Sequence, residues 1–232
     1  MRHNDRSRPA RDGTSLAMSH DERDADCAIV VFAKAPLAGY AKTRLATALG
    51  ADGAARLAER LLLEATVHAV AADVGPVEVC CAPDPAHPAF AALAQRFAVA
   101  LVAQGDGDLG ARMERTFERT LRRHRGAIVI GTDAPGLDAA YLREAALRLR
   151  THDAVLGPAQ DGGYTLIGLK LPAPLVFEGI AWSTPQVMQQ TRERLRQAGL
   201  VHTELAELAD IDEPADLRHL PAAWGAFDAC SP

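Results

Sequence analysis

Cys27-Ala-Ile-Val-Val-Phe-Ala33 opens the patterned part of the chain with an unbroken apolar run. Such a run, without polar alternation, is what a strand covered on both faces requires. A loop to about Ala48 follows, and then Ala54, Leu57, Ala58, Leu61, Leu62, Ala65 and Ala69 recur at helical spacing. Val77–Cys81 predicts a second strand, Pro88–Gln95 a short helix and Phe97–Val102 a third strand. Gly110–His124 predicts a helix leading into a strand at Ala127–Ile130, and Asp138 stands as the N-cap of a helix to about Arg150. Ala154–Gly157 and Tyr164–Leu169 predict two strands joined by the turn Gln160–Gly163. Thr184 as N-cap, Pro185 at the first helical position and Gly199 past the end bracket another helix. Val201–Leu205 and Pro214–Leu220 predict a last strand and a last short helix. Strands alternating with helices mean βαβ units. The predicted fold class is therefore α/β, a Rossmann-like, mostly parallel sheet flanked by helices. It forms a single domain over residues 27–220, between tails at 1–26 and 221–232.

Composition narrows the class of protein. With 48% hydrophobic and 24% charged residues in 232, the body of the chain is ordinary globular sequence. The net charge of −5 argues against a general nucleic-acid binder. No apolar run approaches the roughly 18 residues of a membrane span. Cys27, Cys80, Cys81 and Cys230 show no CxxC spacing, so neither a disulfide framework nor a zinc site is expected, and the setting reads as reducing and cytoplasmic. Residues 1–26 are polar, lack the apolar core of a secretory signal and read as a disordered tail, with Met18 as an alternative start. The eight histidines show no ligand spacing, and no Gly-x-Ser-x-Gly or Cys/His nucleophile pair is present. Only three of the 25 basic residues are lysines, and two of those, Lys34 and Lys42, fall in one loop.

Ligands of open parallel sheets bind beyond the carboxyl ends of the strands. Four polar, glycine-bearing segments follow predicted strands here: Lys34–Arg44, Gly105–Arg112, Gly131–Pro135 and Asp161–Gly163. Their convergence on one rim weighs more than any one of them. The first, with Gly39, Lys42 and Arg44, suits phosphate through open backbone N–H groups and point charges, or is simply a solvated helix start. It is not a Walker A motif, because Ala41 stands before Lys42-Thr43 and the leading glycine is missing. Asp133, just past a buried strand, is placed to reach a divalent metal or, equally, to turn the chain ahead of Pro135. Asp210-Ile-Asp212-Glu-Pro offers a second carboxylate, with helix capping by Asp212 or Glu213 as the competing role. Asp161-Gly-Gly163 is also a competent hairpin turn by itself.

A set of motifs in order along residues 27–220 adds a resemblance. It comprises Phe32-Ala-Lys-Ala-Pro36, Gly39, Lys42-Thr-Arg-Leu45, Gly107-Asp-Leu-Gly110 with Arg112-Met113, Gly131-Thr-Asp-Ala-Pro135, Leu156-Gly-Pro158, Asp161-Gly-Gly-Tyr164 and Asp210-Ile-Asp-Glu-Pro-Ala-Asp-Leu217. Together these resemble the DUF2064 group, described as glycosyltransferases and as radical-SAM/selenodomain-associated transferases. That group belongs to the nucleotide-diphospho-sugar transferase superfamily, which implies a GT-A-like fold. A weaker similarity extends to phospholactate guanylyltransferase and to molybdenum-cofactor nucleotidyltransferases, from which the first loop departs by its Ala-Pro-Leu-Ala sequence.

The resemblance implies roles residue by residue. Lys34, Gly39, Lys42 and Arg44 become nucleotide and phosphate ligands, joined by Gly110 and Arg112. Asp133 becomes the ligand of Mg²⁺ or Mn²⁺, with Asp212 as its second carboxylate. Asp161, Gly162 and Gly163 shape the acceptor side, with the two glycines close to the nucleotide, and Lys42, Asp133 and Asp161 carry the catalysis. The implied activity is a metal-dependent transferase with a nucleotide-activated donor and a small-molecule acceptor, glycosyl transfer from a nucleotide sugar first. Nucleotidyl transfer from a nucleoside triphosphate to a phosphorylated acceptor is the alternative, and a non-catalytic nucleotide-binding partner is the rival from another class.

Overall fold

The computed structural model describes residues 27–224. The expected N-terminal tail with Met18, Cys230 and most of the expected C-terminal tail lie outside them.

The first apolar run becomes strand β1 (Cys27–Lys34), and its side chains alternate between two separate cores. Ile29, Val31 and Ala33 enter one, and Val30 the other. The period of two is the pleat of the strand, and an apolar residue is needed at every position because both faces are covered. β2 (Val77–Ala82), β3 (Ala100–Ala103), β4 (Gly126–Ile130), β5 (Ala154–Pro158), β6 (Tyr164–Leu169) and β7 (His202–Glu204) complete a seven-stranded sheet in the order β3-β2-β1-β4-β6-β5-β7. Only β6 runs against its neighbours, because the tight turn after β5 sends the chain straight back. Adjacent Cys80 and Cys81 on β2 point into opposite cores, both buried and both free. Burial raises the pKa of both thiols, that of Cys81 to about 12.

Helices α1 (Ala46–Ala72), α2 (Pro88–Phe97) and α4 (Ala139–Leu149) cover one face of the sheet, and α3 (Leu109–Leu121) and α5 (Val187–Gln197) the other. The expected cap at Asp138 forms, its Oδ1 accepting the N–H of Tyr141 at 2.8 Å. Among the described residues no helix is long and apolar enough to cross a membrane.

Boundaries differ from expectation at several points. Helical structure begins earlier than Ala48, with a 3₁₀ turn at Thr43–Leu45 that runs into α1, and α1 is kinked at Gly50 (φ 69°). Phe97 closes α2 instead of opening β3, because Ala98 takes a left-handed conformation (φ 53°) that ends the helix. α5 starts at Val187, later than Thr184 and Pro185 suggested. The Thr184 hydroxyl donates back to the Ala181 carbonyl at 2.7 Å and so closes a turn before the helix. At the far end, packing continues past residue 220 to Trp224, whose ring lies 5.0 Å from the Arg60 guanidinium.

A third cluster positions the site. Leu45, Leu49, Ala54, Leu57 and Leu61 from the start of α1 enclose Ile211, which is 0% exposed. Ile211 therefore anchors the late segment 210–212 against the beginning of the chain's patterned region. Inward Ile211 turns its two neighbours, Asp210 and Asp212, toward the rim.

Candidate functional site

Of the segments expected to converge, Lys34–Arg44 and Gly131–Pro135 meet beyond the carboxyl ends of β1 and β4, joined there by segment 210–212, with Lys42 at their centre. After β1 the chain turns at Leu37–Ala41, with Tyr40 N–H donating to Leu37 O at 3.0 Å and Gly39 at φ 76°. Ala41 and Leu45 are buried and pin the two sides of Lys42, which adopts a left-handed conformation (φ 50°, ψ 41°). Such a conformation costs a non-glycine residue about 1 kcal/mol or more and persists only where surrounding contacts hold it. Here the contacts are electrostatic. The ammonium donates to Asp133 Oδ1 at 2.7 Å, to Asp212 Oδ1 at 3.0 Å and to the Ile211 carbonyl.

Burial by itself pulls the Lys42 pKa down; the charges of Asp133 and Asp212 and their hydrogen bonds more than offset it, so the net shift is upward. The ammonium stays charged across the physiological range. Its side chain is only 6% exposed, whereas the two carboxylates are 46% and 43% exposed and open to solvent.

Each carboxylate is held by its own local structure. Asp133 receives the Thr132 hydroxyl at 3.2 Å, and its carbonyl accepts the Ile211 N–H at 2.9 Å. Capping of the 3₁₀ helix Pro214–His219 is done by Glu213 and Asp216, with Asp216 Oδ2 accepting the N–H groups of Glu213 at 2.7 Å and of Asp212 at 3.1 Å. Asp212 is thereby released from the capping role its sequence position suggested. Its side chain turns to Lys42 instead.

Asp161 folds its own turn, with Oδ1 accepting the Gly163 N–H at 2.7 Å. It lies close enough to Asp210 for their charges to interact. The Asp210 carboxyl is pushed up to about 6, mainly by burial and then by the charges of Asp161, Asp212 and Asp133. Asp210 belongs to the Asp210–Leu217 motif, which assigns it no role. Its proximity to Asp161, Asp212 and Asp133 is what the folded chain adds.

The remaining expected residues divide. Arg44 borders the cluster, 3.9 Å from Glu213, with both side chains well exposed. Lys34 is exposed at the end of β1 and belongs to none of the ion pairs among the described residues. Arg112 braces the loop after β3: its Nε donates to Gly107 O at 2.9 Å and its Nη1 to Gln104 Oε1 at 3.4 Å. Gln104 in turn donates to Ala33 O and Cys80 O, tying that loop to the ends of β1 and β2. A side chain on Gly110 would meet the Trp182 indole at 2.8 Å, and one on Gly162 (φ 88°) would meet Pro185 O at 2.4 Å. Both glycines are thus required by packing against the segment before α5. A side chain on Gly163 would approach only Asp161, at 3.1 Å.

Among the described residues no group of three or more His, Cys, Asp and Glu side chains is set to hold a metal ion by itself. The arrangement does fit a divalent cation that takes part of its shell from a ligand. Two carboxylate oxygens already converge on one cationic atom, and Mg²⁺ typically takes one or two carboxylates together with phosphate oxygens and water. Asp133 and Asp212 are the residues that would hold it.

Comparison with solved structures agrees with this architecture. A candidate nucleotide-diphospho-sugar transferase from Desulfovibrio desulfuricans G20 is 29% identical, with a TM-score of 0.77 over 86% of this chain and 88% of that one. The Mycobacterium tuberculosis H37Rv protein Rv0371C, in complex with manganese, is 18% identical, with a TM-score of 0.55 over 84% and 97%. The inositol-1-phosphate CTP transferase of T. maritima is 11% identical, with a TM-score of 0.54 over 87% and 94%, a likeness of fold alone. No curated protein matches the sequence. The fold is that of the nucleotide-diphospho-sugar transferases, as the ordered motifs implied. A family described as "Uncharacterized protein conserved in bacteria (DUF2064)" matches residues 65–184, more than half of the chain, which therefore belongs to the DUF2064 family.

Proposed function

We propose that this protein is a transferase that takes a nucleotide-activated donor, and that the group it moves is a glycosyl unit from a nucleotide sugar. The observation that carries the reading is the placement of one ammonium between two solvent-open carboxylates, at 2.7 and 3.0 Å, on the ligand-binding rim of the sheet. The likeness to the Desulfovibrio protein supports a donor of this class.

The chemistry follows from charge. Attack by an acceptor hydroxyl on the anomeric carbon breaks the bond to the diphosphate, and a nucleoside diphosphate departs with the electron pair. Lys42 and Arg44 supply positive charge where that leaving group forms. Asp133 and Asp212 would hold Mg²⁺ or Mn²⁺, which neutralises charge on the departing diphosphate when bound. Asp161, beside Asp210 on the acceptor side, takes the proton of the attacking hydroxyl and passes it to solvent.

The charge of the acceptor side favours glycosyl over nucleotidyl transfer. Asp133 and Asp212 pair with the Lys42 ammonium, Asp210 lies near enough to both and to Asp161 to interact by charge, and a phosphorylated acceptor entering beside them meets like charge. A neutral hydroxyl acceptor does not.

The test is a panel of nucleotide sugars and nucleoside triphosphates with Mg²⁺ or Mn²⁺. Thermal shift reads binding, and release of nucleoside diphosphate or of pyrophosphate reads turnover. Release of UDP or GDP from a sugar nucleotide supports the proposal. Pyrophosphate released from a triphosphate with a phosphorylated acceptor would assign nucleotidyl transfer instead. Binding without consumption of any donor would make the chain a nucleotide-binding partner, and no binding across the panel would refute the whole reading.

A further inference from the structure

Lys42 has three N–H donors, and all three are spent: on Asp133 Oδ1, on Asp212 Oδ1 and on the Ile211 carbonyl. As it stands, the ammonium has no donor left for a phosphate. It also sits on one oxygen of each carboxylate that a divalent ion would use. Two cations cannot share that pair at contact distance, because the repulsion between them opposes the gain from either. Phosphate binding by Lys42 and metal binding by the two aspartates are thus both opposed in the resting arrangement, and one movement of one side chain relieves both.

The surroundings suit such a movement. Ala41 and Leu45 bury the backbone on either side, so the loop stays fixed while the four-carbon stem of Lys42 changes rotamer. The carboxylates are nearly half exposed, so a hydrated ion reaches them from solvent as the ammonium leaves. Without any cation, Asp133 and Asp212 would face each other and their acidic neighbours Asp161 and Asp210 uncompensated.

We propose that Lys42 is the resident counter-ion of the site: it holds Asp133 and Asp212 in the free protein, excludes a divalent ion offered alone, and yields its place when nucleotide phosphates receive it. Metal and nucleotide then bind with positive coupling, each raising the affinity of the other by the same factor. This rests on the metal- and nucleotide-dependent reading above and adds an order of binding to it.

Mn²⁺ binding to the full chain, followed by electron paramagnetic resonance of the free ion, tests it without any turnover. UDP and GDP are the nucleotide probes. Either nucleotide that binds is expected to raise the affinity of the native protein for Mn²⁺ about tenfold or more. Lys42→Met is expected to bind Mn²⁺ alone about tenfold more tightly than the native protein and to lose most of the nucleotide-dependent gain. Lys42→Arg keeps a cation at the carboxylates and is expected to go on excluding the ion. Loss of the added Mn²⁺ affinity in the double variant Lys42→Met, Asp133→Asn places the ion at this pair.

Mn²⁺ binding by Lys42→Met no tighter than by the native protein overturns the proposal. So does nucleotide binding that leaves the Mn²⁺ affinity of the native protein unchanged, a result that needs no variant and leaves the transferase reading standing. Failure of the native protein to bind Mn²⁺ and either nucleotide in any combination removes the coupling, and only failure across the full nucleotide-sugar and triphosphate panel removes the transferase reading with it.

Discussion

The backbone N–H of Ile211 donates to the carbonyl of Asp133 at 2.9 Å, and this bond fixes the two halves of the site against each other. One carboxylate comes from the end of β4 and the other from a segment near the end of the described chain. Ile211 joins them, with its side chain sunk in the cluster at the start of α1. Ile211→Ala removes that anchor and leaves a cavity, at a cost of about 2–4 kcal/mol. A lower melting temperature is expected together with weaker nucleotide binding in the presence of Mn²⁺, while Ile211→Val moves both only slightly. Thermal melts and nucleotide titrations on the two variants check this. Unchanged binding in a destabilised Ile211→Ala protein would show that the anchor serves the fold alone.

Asp133→Asn keeps the size of the side chain and removes its charge. The Lys42 ammonium retains Asp212 and the Ile211 carbonyl, and Asp133 is half exposed, so the stability cost is expected to stay near 1 kcal/mol. Turnover on the donor identified by the panel is expected to fall about a hundredfold or more, because Asp133 would hold the divalent ion that offsets charge on the leaving group. Parallel measurement of melting temperature and nucleoside diphosphate release separates the two effects. A fall in activity matched by a collapse of the fold would deprive Asp133 of its assigned role.

The glycines give a graded test of packing against backbone freedom. Gly39 (φ 76°) and Gly162 (φ 88°) both occupy the left-handed region, but an added Cβ meets nothing at Gly39 and meets Pro185 O at 2.4 Å at Gly162. Gly39→Ala is expected to cost about 1 kcal/mol from backbone strain alone. Gly162→Ala adds a clash with a main chain that cannot retreat, since Met188 N–H also donates to Gly162 O at 2.9 Å. About 3 kcal/mol or more is expected there. At about 2–4 °C per kcal/mol for a chain of this size, the two melts should differ by several degrees.

The sheet and the convergence of its loops were legible because their causes are local. The apolar run of β1, the Asp138 cap and the Asp161-Gly-Gly163 turn each declare themselves within a few residues. The union of Lys42 with Asp133 and Asp212 was not, since it depends on side-chain contacts across most of the chain. It also depends on a left-handed backbone at Lys42, where no glycine signals one. At Gly110 and Gly162 a side chain is excluded by Trp182 and Pro185, a packing constraint that no nearby sequence pattern announces. Thr184 misled for a related reason. Its hydroxyl donates to Ala181 O and accepts the Gln186 N–H at 3.4 Å in a turn that only the folded chain offers, and α5 begins after that turn.

The edge strand β7 is tied to α5 by a bidentate pair, Arg192 Nε and Nη2 donating to the two oxygens of Glu204 at 2.7 and 2.8 Å. Hydrogen bonding to Arg192 holds the Glu204 carboxyl below its ordinary value of 4.5, although partial burial pushes the other way. The sign follows from the proton balance. Below the ordinary value the unfolded chain takes up a proton that the folded one still resists, so acid favours unfolding. The contribution of Glu204 is present above the ordinary carboxylate range and is lost as pH falls through its depressed folded value. Glu204→Gln should therefore lower the melting temperature at neutral pH, with a stability loss of no more than about 1 kcal/mol because both side chains are partly exposed and screened. The gap between variant and native protein should close in acid, once native Glu204 is itself protonated. Melting curves of both proteins from neutral pH downward measure it, and a gap that persists at the acid end would mean that the pair acts through packing of the Arg192 stem and not through its charge.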